Sequence, residues 1–404
     1  MKLKKILETT KDFLLNIIAA LLSTGCMQLV LYPALAKQMS AADYGEMLTV
    51  MGVFNVVLLA FGNNLSYSRL LQEKNYVQQG QKGDFQVLAL IMMGISGLVM
   101  LVSNVYFQLP AHIILAIVAA MVLSVWKAYY IVTYRIKLEY GKNLIANLWM
   151  SVGYIVGAFV LIRFLPWPWV FALSAVAGLI YIWFSSDIMR EPYTVTPLFK
   201  ASGKVVFWLV LSGMMGNLVT YLDRFIIHPI LGSESVSVYA TAAFFAKSIN
   251  LVFSPITTVL LSYITGGKLV LDRKKYLLIN LALLALGAVG FGGTLLVGGH
   301  ITNWLYPTLY PLAKDYFAIS SLGIILGIAG SFMSVPVLAY APAFWQPLLA
   351  GIRLVMYFVL GWVLVSMQGI LGMCLCVLIT NIVGNAISFT VGWYYITKKS
   401  RQNA

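Results

Sequence analysis

Residues 112–134 read HIILAIVAAMVLSVWKAYYIVTY, a run in which Lys127 is the single charged side chain. A helix rising 1.5 Å per residue needs about twenty apolar residues to cross roughly 30 Å of hydrocarbon, so this stretch reads as one membrane span. Comparable runs lie around it at 13–36, 44–65, 85–107, 144–165 and 168–186. Six more follow at 205–222, 236–264, 276–298, 312–340, 347–366 and 370–396. The expected fold class is therefore all-α integral membrane, with twelve transmembrane helices and no appreciable soluble domain.

Composition points the same way. Of 404 residues, 61% are hydrophobic and 10% charged, whereas about a quarter of a soluble domain is charged. A transmembrane barrel would instead show short alternating segments. The net charge of +14 falls in short clusters between apolar runs, which suits anionic headgroups and topology rather than nucleic acid. Cys26, Cys374 and Cys376 all sit inside apolar runs, so neither a disulfide framework nor a metal site is expected. The basic segment 1–11, the apolar run after it and Ala34-Leu35-Ala36 together imitate a cleaved signal peptide. The run at 13–36 is too long for a typical signal core and is interrupted by Asn16, Gln28 and Pro33, so it reads as the first membrane helix.

Loops rich in lysine and arginine stay on the cytoplasmic side. Here alternate loops are basic: 1–11, Arg69/Lys74/Lys82, Arg135/Lys137/Lys142, Arg190/Lys200/Lys204, Lys268/Arg273/Lys274/Lys275 and the tail Lys398/Lys399/Arg401. The opposite loops carry only Lys37, Arg163, Arg224 and Lys314. Both termini are thus expected in the cytoplasm. The longest basic loop, 187–204, separates six spans from six, giving an N-terminal lobe 1–200 and a C-terminal lobe 201–404. Tyr32-Pro33, Tyr44 and Phe54-Asn55 parallel His228-Pro229, Tyr239 and Ile249-Asn250. That internal likeness would make the lobes parallel repeats about an axis along the membrane normal.

An ionisable residue deep in a span is costly and marks a functional site by default. Lys127, Lys247 and Arg353 qualify. Each lies on a stripe too polar or small-sided for lipid: Lys127, Tyr130 and Tyr134; Ala240, Ala243, Lys247, Asn250 and Ser254; Gln346, Ala350, Arg353 and Tyr357. These faces are expected to line a wet interior, the competing reading being lysine and arginine stems that snorkel to the interface. The carboxylates fall elsewhere, with Glu8, Asp12, Glu73, Asp84, Glu139, Asp187, Glu191 and Asp272 read as cytoplasmic and Asp43, Glu46, Asp223, Glu234 and Asp315 at the outer edge. An interior with cations and no matching anions attracts an anionic guest, and phosphate suits both basic side chains.

Further polar faces are Gly213, Asn217, Thr220 and Arg224 in the seventh span, Asn381, Asn385 and Ser388 in the twelfth, Ser23, Thr24 and Gln28 in the first, and Asn143, Asn147 and Tyr154 in the fifth. Interhelical hydrogen bonding is the alternative for some of them. His112, His228 and His300 have no ligand spacing, and no Walker loop, carboxylate pair or nucleophile motif is present. The chain is not expected to be an enzyme.

The string Tyr221-Leu222-Asp223-Arg224-Phe225-Ile226-Ile227, followed by Ile230-Leu231-Gly232-Ser233-Glu234 and Tyr239-Ala240-Thr241-Ala242-Ala243, resembles the polysaccharide-transporter branch of the multidrug/oligosaccharidyl-lipid/polysaccharide exporter superfamily. Members of that branch, which includes the O-antigen (Wzx-type) flippases, carry Asp-Arg, Leu-Gly and Tyr-x-x-Ala at this spacing. Tyr32-Pro33 and Ser40-Ala41-Ala42-Asp43-Tyr44-Gly45 are similar to the family's first outer turn and second-helix start. Ser237-Val238 replaces the glycine and valine often found before the tyrosine.

The resemblance implies two six-helix lobes forming a V around a cationic cavity framed by helices 1, 2, 7 and 8. It implies a flippase that moves undecaprenyl-diphosphate-linked oligosaccharide, O-antigen or capsule repeat units, to the outer leaflet of a bacterial inner membrane by alternating access. Lys247, Lys127 and Arg353 are then expected to hold the diphosphate, and Asn250, Asn217, Arg224, Tyr130 and Gln28 to complete the substrate site. No cofactor is implied, and membrane potential, H+ or Na+ are the driving forces open to it. The expected partners are the lipid-linked substrate, membrane lipids and other polysaccharide-assembly membrane proteins, with no nucleic acid and a monomeric chain. A cation-coupled multidrug exporter is the first rival and would need a mid-membrane acid, which the sequence reading does not find. A membrane polysaccharide polymerase is the second, and would need long outer loops or clustered carboxylates.

Overall fold

The computed structural model describes residues 14–402 apart from 16, 20, 266–270 and 343. The basic segment 1–11, Phe13, Asn16 and Lys268 lie outside the described residues, as do the side chains of Ser254, Lys399 and Arg401. The long helices are α1 Ile17–Ala36, α2 Ala41–Gln78, α3 Asp84–Phe107, α4 Ala111–Ile136, α5 Tyr140–Arg163, α6 Pro168–Ser185 and α7 Phe199–Leu231. After them come α8 Ser233–Thr265, α9 Arg273–Leu305, α10 Tyr310–Tyr340, α11 Trp345–Gln368 and α12 Ile370–Gln402. Eleven of these helices are long and apolar enough over their described residues to cross a membrane by length and composition.

Several helices outrun their expected spans. α2 continues past 65 to Gln78, and α7 covers Phe199–Leu231 rather than 205–222. A fall in hydropathy does not end a helix. Arg69, Leu70, Leu71, Gln72, Glu73 and Lys74 are good helix formers, and termination waits for Gly80 at φ +62°.

Compactness divides the chain into one unit of 1–38 with 50–221 and another of 39–49 with 222–404. The division falls inside α2 and α7, each a continuous helix.

In the first unit a polar network pins the loop after α6. Arg69, 3% exposed, pairs with Glu73 at 3.1 Å and Glu191 at 3.0 Å. The buried Asp84 accepts from the Tyr76 hydroxyl at 2.7 Å and from the Thr196 amide at 2.6 Å. Arg69, Glu73, Asp84 and Glu191, read as cytoplasmic, are parts of a packed helix end. Burial holds the Glu191 carboxyl above its ordinary range, with Arg69 pulling the other way. Lys137 and Asp187, by contrast, pair on the surface.

In the second unit the start of α2 lies against the α7–α8 turn. Ser40 Oγ accepts from the Asp43 amide at 3.1 Å, capping the helix. Gly45 is required there, since a Cβ would sit 1.7 Å from the Ser233 carbonyl oxygen. The turn itself uses Gly232 at φ +83°, a conformation that costs glycine nothing. α12 packs on α10 through Asn381 Nδ2 donating to Gly323 O at 2.9 Å and Asn385 Nδ2 donating to Leu326 O at 2.8 Å. The polar face of the twelfth span is therefore interhelical hydrogen bonding. The three cysteines are free.

Candidate functional site

Burial separates the expected site residues. Lys127 on α4 is 8% exposed. Its Nζ donates to Asn147 Oδ1 at 3.0 Å, and Asn147 Nδ2 donates on to the Asn143 carbonyl at 2.8 Å. The Tyr130 hydroxyl donates to Gln86 Oε1, and Gln86 Nε2 donates to the Ile188 carbonyl. Tyr134 shares a hydrogen bond with Ser185 at 2.5 Å. The Lys127, Tyr130 and Tyr134 face, expected to line a wet interior, is instead packed inside the first unit, because neighbouring amides and hydroxyls satisfy it there. Gln28 is half-buried in a π-helical turn, Met27–Leu31, just ahead of Pro33. Asn217 is half-buried and donates to the Gly213 carbonyl at 2.7 Å, so part of its capacity goes to its own helix.

The second unit brings its members together. Asp223 Oδ2 lies 2.5 Å from Lys247 Nζ, with the carboxylate 3% exposed and the lysine side chain 40% exposed. The Lys247 ammonium also stands 5.6 Å from the ring centre of Tyr239, within cation–π range. Arg353 lies on α11 one helical turn before Tyr357, whose carbonyl accepts from the Cys376 thiol of α12 at 3.4 Å. The Arg353 side chain crosses α12 at Gly384, where a Cβ would meet its Nε at 2.5 Å. Arg353 Nη2 donates to Ser388 Oγ at 3.2 Å, while its buried Nε has no partner. Among the described residues no carboxylate lies within ion-pair reach of Arg353 or Lys127. Arg224 turns aside from its neighbour, its Nη1 donating to the Leu48 carbonyl at 2.6 Å. Asn250 is exposed on α8.

One expectation changes here. Asp223 lies within α7, which runs on to Leu231, about 12 Å back from the helix end at 1.5 Å per residue. Lys247 is accordingly not a cation without an anion. The missed signal was Phe225-Ile226-Ile227, apolar residues that resume after the charged pair and carry the helix on. Tyr239 joins the site through contacts that no spacing along the chain reveals.

The sequence matches no protein-family model, and no curated protein matches it. Solved structures do. An inward-facing multidrug resistance MATE family transporter of the MOP superfamily matches with a TM-score of 0.68 at 15% identity, over 96% of this chain and 96% of that one. MATE in a bent conformation gives 0.64 at 15% identity, over 98% and 96%. The lipid II flippase MurJ, inward closed, gives 0.64 at 15% identity, over 98% and 87%. At such identities the likeness is one of fold. The chain is a multi-pass, all-helical membrane protein with the fold that MATE transporters and MurJ share.

Proposed function

We propose that this chain is a flippase for undecaprenyl-diphosphate-linked oligosaccharide, of O-antigen or capsule type, working by alternating access in a bacterial inner membrane with both termini cytoplasmic. The observation that carries the reading is Arg353. A guanidinium stays charged at any physiological pH, yet here it is held on a membrane helix by one serine hydroxyl, with a buried Nε left over. Such a group is costly to keep in a span and is shaped to bind phosphate oxygens in pairs. Lys247 supplies a second, partly exposed cation in the same unit. The motifs at 221–243 support the same substrate class, and the polyprenyl tail would stay in lipid.

The test is flipping of a fluorescent polyprenyl-diphosphate oligosaccharide by the protein in vesicles. Arg353→Ala is expected to lower the rate about tenfold or more, the loss of roughly 1.4 kcal/mol of binding. Arg353→Lys should recover part of it, as a cation without the planar fork. Unchanged flipping in Arg353→Ala would remove the diphosphate role.

Cation-coupled export of a drug is the second reading. It is favoured by the MATE transporters among the solved structures, and Asp223 supplies the acid it needs. It expects cells carrying the chain to resist cationic dyes, and Asp223→Asn to abolish that resistance.

A further inference from the structure

The Asp223–Lys247 pair is built asymmetrically. The carboxylate is 3% exposed and the lysine 40% exposed, so the two partners differ in their freedom to move. Lys247 has a flexible stem and can swing its ammonium toward the surface. Asp223, short and buried, stays where it is.

We infer that Asp223 is a proton site controlled by Lys247, where binding of a phosphate-bearing anion to the ammonium is coupled to uptake of one proton by the carboxylate. The step balances in charge and atoms. An ion pair, an anion and a proton become an un-ionised carboxylic acid and an ammonium–anion pair. The inference rests on the anionic-substrate reading above and adds a linked proton to it.

The groups around Asp223 leave it little alternative. On its own helix, the Arg224 backbone amide donates to Oδ1 at 2.9 Å, and the Arg224 guanidinium is engaged with the Leu48 carbonyl of α2. From α8 come Lys247 and Tyr239, the ammonium 5.6 Å from the tyrosine ring centre, and from α11 comes Tyr357. From α12 the thiols of Cys374 and Cys376 stand near Tyr239. Lys247 is the one ammonium paired with Oδ2 among the described residues. Once it turns to another anion, a buried carboxylate remains with one amide donor, and burial of an unpaired charge is relieved by neutralisation. Anion binding at Lys247 must then strengthen as pH falls, since proton and anion favour each other's binding.

Infrared difference spectroscopy of the full chain in lipid nanodiscs tests this. Lys247→Gln should display the carbonyl stretch of an un-ionised carboxylic acid, absent from the wild type and from the Lys247→Gln/Asp223→Asn double variant. Addition of geranyl diphosphate to the wild type should raise the same band. Its binding should tighten about tenfold per pH unit while one proton is taken up, and Asp223→Asn should bind it with no such slope. Should Lys247→Gln fail to fold, that wild-type slope and its loss in Asp223→Asn carry the test by themselves. A folded Lys247→Gln without the band, or pH-independent binding in the wild type, overturns the inference. The band in Lys247→Gln together with no response to geranyl diphosphate overturns the anion exchange and points the failure at the substrate reading, because the proton site itself has then been seen.

Discussion

Lys127 and Lys247 are the same residue type on two membrane helices, and their surroundings make them different groups. Lys127, 8% exposed, is fixed by the neutral Asn147 amide within the packed first unit. Lys247, partly exposed, is held by a buried carboxylate in the second. A cation satisfied by amides can leave its site only by opening the core around it. A cation held at the surface by an acid can be traded for another anion, at the cost of what happens to the acid. The first arrangement suits a scaffold and the second a switch.

The contrast can be broken at three places. The largest effect is expected where the start of α2 packs against the α7–α8 turn. Gly45→Ala puts a methyl 1.7 Å from the backbone oxygen of Ser233, which no side-chain rotation relieves, so loss of the monodisperse folded peak in detergent is expected. Gly216→Ala, with nothing within 4 Å of its new methyl, should elute as the wild type does, within about 0.5 kcal/mol.

Next, Lys247→Ala strands the Asp223 carboxylate. Breaking a buried pair costs about 3–5 kcal/mol, and the exposure of Lys247 places this one at or below the lower end. Thermal unfolding in detergent should show that deficit at neutral pH, its shrinking as the pH is lowered, and its near disappearance in Lys247→Ala/Asp223→Asn. A deficit insensitive to both pH and the second substitution would mean that the lysine acts through packing. The smallest effect is expected for Lys127→Met, where an apolar chain of similar length replaces the amine. It leaves the Asn147 carbonyl unpaired, at about 1–3 kcal/mol. Should Lys127→Met abolish flipping while leaving stability intact, the division of roles between the two lysines would be reversed.

Much of the fold was legible because lipid imposes a single rule, that a spanning backbone satisfies its own hydrogen bonds within a helix of sufficient length. Runs such as 112–134 follow that rule openly. Helix ends were less legible, since α2 and α7 continue through residues that leave the apolar run without leaving the helix. Arg69 illustrates the consequence: a positive charge in a polar stretch looks solvated, yet the return of the loop after α6 buries it with Glu73 and Glu191.

Of the candidate site, Lys247 and Arg353 stood out as charges in apolar runs, and Asp223 was lost with the helix end. By itself the sequence determined the solvent, the helical class and the faces that carry charge, because length, hydropathy and a period of 3.6 residues are local properties. Only the tertiary structure decided that Lys247 meets an acid, Lys127 an amide and Arg353 a serine. Helical spacing says which residues share a face, whereas what confronts that face depends on chains of contact between helices distant in sequence.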